Sequence, residues 1–182
     1  MAEKRPRRPR PPLDAERLNE LMLAYVARFA TSRSKLKAYL TRKVRERGWA
    51  GLGEPPTDDL VAKAARVGFV DDAAYALGKA RSLTQRGYGS RRVRQALLAA
   101  GIGEEDSASA HDHAEESAVQ AALRFARRRR LGPYAAHLAD PHLREKQLAA
   151  MLRAGHALRL SKAILKLGPG AEIDMQTLEK QV

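Results

Sequence analysis

Apolar residues recur along this chain at intervals of three and four, the period of a helix that buries one face. Leu18, Leu21, Met22, Tyr25 and Phe29 form the first such stripe, and the capping residues Thr31-Ser32-Arg33-Ser34 interrupt it. Leu36, Leu40 and Val44 then step by four to Gly48-Trp49, and a Gly/Pro-rich loop over 50–56 follows. Beyond it Thr57 is expected to cap a third helix whose inner face is Leu60, Val61, Ala64 and Val67, with Gly68 as its stop. Asp71 or Asp72 opens a fourth helix with Tyr75, Ala76, Leu77, Ala80 and Leu83 inward. This fourth helix runs into Gly87-Tyr88-Gly89-Ser90. Two glycines flanking an aromatic end one helix, and Ser90 is placed to cap the next, whose inner positions are Val93 and Leu97 and whose stop is Gly101.

The second half repeats the theme less clearly. The segment 103–117 is acidic and made of small residues, and reads as a weak helix or a partly ordered connector. Val119, Ala122, Leu123 and Ala126 give a clear helical stripe that leads into Arg127, Arg128, Arg129 and Arg130. Asp140-Pro141 is a helix start, followed by Leu148, Met151 and Leu152 and closed by Gly155. Leu160, Ile164 and Leu167 mark a last helix, broken by Gly168-Pro169-Gly170, and 171–182 carries no strong signal.

Three helices thus stop at a glycine, 53 residues apart from Gly48 to Gly101 and 54 from Gly101 to Gly155. The residues four and eight before each stop are Val44 and Leu40, Leu97 and Val93, and Met151 and Gln147. A helix comes before each, and a shorter one follows. The reading is an all-α fold of three tandem three-helix, helix-turn-helix-like repeats, each too small to bury a generous core alone, forming an elongated molecule. The expected divisions are a basic, proline-rich flexible arm over 1–16, repeats over 17–69, 70–116 and 117–168, and a tail over 169–182. No alternating run of apolar and polar residues is long enough to argue for a strand.

Charge sharpens this picture. The 182 residues carry 34 lysines and arginines against 21 aspartates and glutamates, a net +13, which points to a polyanionic partner and first of all to nucleic acid. Arg91, Arg92 and Arg94 crowd the first turn of their helix, where cations oppose the helix dipole at a cost of about 0.3–1 kcal/mol each, so a partner outside the helix is expected to hold them. No apolar run approaches the roughly 20 residues of a membrane span, and the start of the chain has charge and proline where a signal peptide has an apolar core. With no cysteine there is no disulfide framework, and a cytoplasmic location fits.

The residues of catalysis are missing. There is no phosphate-binding Gly-x-x-x-x-Gly-Lys loop, no Gly-x-Ser-x-Gly elbow and no His-Glu-x-x-His. Asp58-Asp59 and Asp71-Asp72 are paired carboxylates, but helix N-termini attract such pairs without any catalytic need. His111, His113, His137, His142 and His156 have no metal-binding spacing. The chain is read as a non-enzyme without cofactor or metal, acting through shape and charge.

The run Val70-Asp71-Asp72-x-x-Tyr75-Ala76, then Arg86-Gly87-Tyr88-Gly89-Ser90-Arg91-Arg92-Val93, ending Leu97-x-x-x-Gly101-Ile102, closely resembles the RecX family of recombinase regulators. A second match is Arg144-Glu145-Lys146-Gln147-Leu148 with 149–155 after it, which resembles the family's third-repeat helix. The likeness covers roughly Leu18 to Leu167 and departs from the family pattern at 50–56 and 103–117. It implies three tandem three-helix repeats that lodge, as a monomer, in the groove of the RecA filament on single-stranded DNA. It further implies that the filament's ATPase, strand-exchange and coprotease activities in DNA repair and the SOS response are restrained. Single-stranded and double-stranded DNA are the nucleic-acid partners to expect, and no membrane.

Candidate contacts with recombinase or DNA are Arg81, Arg86, Arg91, Arg92, Arg94, Arg127, Arg128, Arg129, Arg130, Arg144, Lys146 and Arg153. The residues assigned to structure are Asp72, Tyr75, Gly87, Tyr88, Gly89, Val93, Leu97 and Gly101, with the Gly-Tyr-Gly turn setting a helix crossing. The rival reading is a helix-turn-helix DNA-binding protein, sequence-specific or sequence-tolerant, that does not act on RecA and whose recognition helix is the one opening at Ser90.

Overall fold

The structure, a computed structural model, describes residues 11–182, and the arginine-proline stretch of the N-terminal arm lies outside them. Ten α-helices and one short 3-10 turn make up the described residues, with no strand among them. The chain divides into two compact units, 1–71 and 72–182.

The first unit holds α1 (Ala15–Val26), α2 (Arg33–Arg47) and α3 (Thr57–Arg66). Leu18, Met22, Leu36, Leu40, Leu60, Val61 and Ala64 meet in its core, joined by Leu13 and Val70. Leu13 is fully buried, and its N–H donates to the Gly48 carbonyl while its own carbonyl accepts from Ala50 N–H. The Arg47 guanidinium also donates to the Pro11 carbonyl, at 2.8 and 3.1 Å. Residues 11–16 therefore belong to this unit rather than to a flexible arm, because a buried leucine and paired backbone groups outweigh the prolines around them. The helix starts also differ in detail. Thr57 is the first residue of α3 rather than its cap, Phe29 lies beyond α1 with half its surface exposed, and Val67 follows α3 and faces outward.

The second unit contains two three-helix sets. The first set is α4 (Asp72–Gln85), α5 (Ser90–Leu98) and α6 (Glu104–Glu116), and the second is α7 (Ala118–Arg129), α8 (Pro141–Arg153) and α9 (Leu158–Lys166). The 3-10 turn Gly132–Tyr134 links α7 to α8, and α10 (Met175–Glu179) closes the chain. The acidic segment 103–117, expected to be weak, is a 13-residue helix. Its buried positions Ser107, Ala110 and Ala114 repeat at three and four, and the two alanines share a core with Ala76 and Ala80 of α4. Small side chains on both helices let the backbones approach closely, while Glu104, Glu105 and Asp106 in the first turn suit the helix dipole.

The tail is also structured. Asp174 caps α10 by accepting from the amides of Gln176 and Thr177, and Leu178 is buried in the core built by α7, α8 and α9. The carboxyl of Asp174 is held below its usual range, first of all by the Thr177 hydroxyl at 2.6 Å. Asp140 caps α8 as its sequence suggests, accepting from Leu143 N–H at 2.7 Å with Pro141 in the first turn.

Candidate functional site

The Gly87-Tyr88-Gly89 turn joins α4 to α5 and is also where the two helix sets of the second unit cross. Gly87 has a φ of 79°, and its N–H and that of Tyr88 donate to the carbonyls of Thr84 and Leu83, the paired closure of a helix by a left-handed residue. Gly89 has ordinary backbone angles, so its need for glycine is steric. A Cβ there would lie 2.3 Å from the Gly155 carbonyl oxygen. The reverse contact is as tight, since a Cβ on Gly155 would meet the Arg92 nitrogen at 2.5 Å. Two backbone hydrogen bonds fasten this approach, Gly89 N–H to Ala154 O at 3.0 Å and Arg91 N–H to Gly155 O at 3.2 Å. Ser90 consequently does not cap α5. Gly89 is the N-cap, and the carbonyls at the end of α8 satisfy amides at the start of α5.

Side chains complete the crossing. Tyr88 packs against both cores of the unit. His156 is buried beneath it, with Nε2 3.2 Å from the Gly87 carbonyl and its ring 5.4 Å from that of Phe125. Burial drives its pKa down to about 4, against the smaller upward pull of the Gly87 carbonyl, so near pH 7 the ring is neutral and Nε2 donates. Asp72 is the buried first residue of α4, and Tyr75 is half-buried against the core that includes Val93 and Leu97. Gly101 closes α5 with a φ of 68°. Neither His156 nor Gly155 stood out as more than a stray histidine and a helix stop in the sequence, because their backbone partners Gly87, Arg91 and Arg92 lie more than 60 residues away.

All twelve candidate cations are exposed, and among the described residues none forms an ion pair. The fold brings Arg86, Arg91, Arg92, Arg128 and Arg153 around the crossing. Arg91 and Arg92 open α5 against the turn that follows Arg153, and the Arg128 guanidinium donates to the Arg86 carbonyl. Arg86 lies 5.5 Å from the Tyr88 ring centroid, Arg127 6.0 Å from that of Tyr134, and Arg128 and Arg129 5.6 and 5.9 Å from that of Phe125. Arg124, which the sequence reading passed over, reaches the Thr84 carbonyl at 3.4 Å.

The remaining cations lie elsewhere. Arg94 lines a groove between α5 and α6 with Leu98 and Glu104, and Arg144 lines another between α8 and α9 with Lys162 and Lys166. Arg81 is on α4 and Lys146 on α8, while Arg130 terminates α7 in the left-handed conformation. The described residues contain no cluster of three metal-ligating side chains, and no helix among them is long and apolar enough to cross a membrane.

The family model for the second three-helix domain of RecX matches residues 71–110, the stretch that supplies the Gly-Tyr-Gly turn and all of α5. A regulatory protein RecX from Myxococcus xanthus (strain DK1622) is 33% identical over 181 residues, covering 92% of this chain and 93% of that one. The chain belongs to the RecX family. A crystal structure of a regulatory protein RecX shares the fold of this family member, with a TM-score of 0.59 at 23% identity over 82% of this chain and 72% of that one. The tandem three-helix architecture is thus the RecX architecture.

Proposed function

We propose that this RecX family member regulates the RecA recombinase by binding the RecA filament assembled on single-stranded DNA. Bound there, it restrains the filament's ATPase, strand-exchange and coprotease activities in DNA repair and the SOS response. The observation that supports the reading is the backbone contact between the start of α5 and the turn that follows α8, beside which Arg91, Arg92 and Arg153 are exposed, together with the exposed pair Arg86 and Arg128. Among the described residues none of them forms an ion pair, so an anionic partner would offset the cost of placing them there. Several such surfaces on one chain add their weak contacts through effective concentration along a repeating polymer.

The helix-turn-helix alternative has less support. A recognition helix leads with its N-terminal residues, and at α5 the Arg91 amide is already taken by Gly155 while the Arg92 backbone is packed against the same glycine. Capture on immobilised RecA, with and without single-stranded DNA and nucleotide, tests the proposal. Retention that depends on the assembled filament is expected. Equal recovery from RecA-coated and uncoated beads would remove it.

A further inference from the structure

The first unit carries a second cationic surface, whose charges are spread along a helix that buries Leu36 and Leu40 on its other side. α2 contains Arg33, Lys35, Lys37, Arg42, Lys43, Arg45 and Arg47 against a single carboxylate, Glu46. One flank of it is aromatic. The Tyr25 ring stacks on Tyr39 with centroids 4.1 Å apart and planes 19° from parallel, and Phe29 adjoins Tyr25 at 5.3 Å. Phe29 is 53% exposed although it touches this cluster. The Arg28 guanidinium lies 5.8 Å from the Phe29 centroid, and Arg42 and Lys43 each lie 5.8 Å from that of Tyr39. A shallow groove along α2 is lined by Ser34, Lys37, Ala38, Thr41, Arg42 and Arg45, of which Lys37 is paired with Asp58 at 2.6 Å.

This combination is more than a solvated face. A helix built only for solubility would intersperse signs, whereas here Glu46 alone serves both Arg42 and Lys43, at 3.6 and 2.6 Å. Arg28 and Arg45 form no ion pair among the described residues, although Arg45 adds to the positive field around Glu46. An open aromatic face held by a stacked pair, with cations on both sides of it, is the arrangement on which an unpaired base stacks while its phosphates meet lysine and arginine. Duplex DNA offers the phosphates but keeps its base faces occupied. An acidic protein would use the charges and leave the exposed ring unexplained.

We infer that the first unit binds single-stranded DNA, with Phe29 receiving a base and Arg28, Arg42, Lys43 and Arg45 contacting the phosphates. The inference deepens the proposed function, since a protein that works on a recombinase–DNA filament meets single strand there. Its test uses no recombinase, so the two readings fail separately.

The experiment measures binding of the full chain to labelled oligothymidylate, to a duplex of equal length and to oligouridylate, at about 50 and about 200 mM salt. It is run in the background R91E/R92E/R94E, so that the surface of the second unit contributes least. Phe29→Ala weakens oligothymidylate binding about tenfold, as loss of one stacked base requires, and Phe29→Trp retains it and adds an emission that the oligonucleotide quenches. Glu46→Gln releases Arg42 and Lys43 and tightens binding at the lower salt. Three results would overturn the inference: affinity unchanged in Phe29→Ala while circular dichroism shows the native helix content, duplex bound as tightly as single strand, or a preference for oligouridylate.

Discussion

His156 is the residue at which this fold is most sensitive to its surroundings. Its ring is buried under the turn that joins the two helix sets, and its depressed pKa means that the unfolded chain takes up a proton that the folded chain refuses. The stability it contributes is complete above pH 6.5 and is lost as the pH falls toward about 4. The expected loss by about pH 4.5 is about 2–3 kcal/mol from this group alone. Urea midpoints measured at neutral and acid pH would show the fall, and His156→Gln would abolish most of its pH dependence. Arg130 makes a second case at the same scale. It ends α7 with φ 55° and ψ 53°, the left-handed conformation that Gly87 adopts at the end of α4. Replacing it with glycine should raise stability by about 1 kcal/mol, seen as a higher urea midpoint at an unchanged slope.

At the scale of the element, the helices easiest to read from the sequence were those with leucine and valine at regular spacing, such as α1, α7 and α9. α6 was obscured because its buried seam is alanine and serine, residues that carry little hydrophobic signal yet permit the closest helix packing. α10 was obscured because five residues are too few to show a period, and its burial depends on a core assembled from 118–165. The Gly-Tyr-Gly turn was legible as a turn. That its second glycine answers Gly155 on another helix was not, since no local pattern encodes a contact over such a separation. The charges of α5 were legible at once, because Arg91 and Arg92 in the first turn, with Arg94 just after it, oppose the helix's own electrostatics. Replacing Arg91, Arg92 and Arg94 with glutamate should leave helix content and thermal midpoint unchanged or slightly raised, since carboxylates suit that end of a helix. Filament affinity should fall at least about tenfold. Survival of that affinity at moderate salt would make these arginines ordinary surface.

At the scale of the molecule, the division of labour follows from what each half leaves unpaired. Ion pairs such as Lys37–Asp58 and Lys43–Glu46 lie in the first unit, which nevertheless keeps a cationic face beside the exposed Phe29. Among the described residues the arginines of the second unit form no ion pair, and backbone contact at Gly89 and Gly155 holds the start of α5 in place. A protein arranged this way has shape and charge to offer a polyanionic assembly. The measurement that tests this most directly is ATP hydrolysis by RecA on single-stranded DNA, titrated with this chain at well below one molecule per RecA protomer. Hydrolysis should fall progressively, and R91E/R92E/R94E should restore much of it. A rate that stays constant up to saturating protein would contradict the account at its centre.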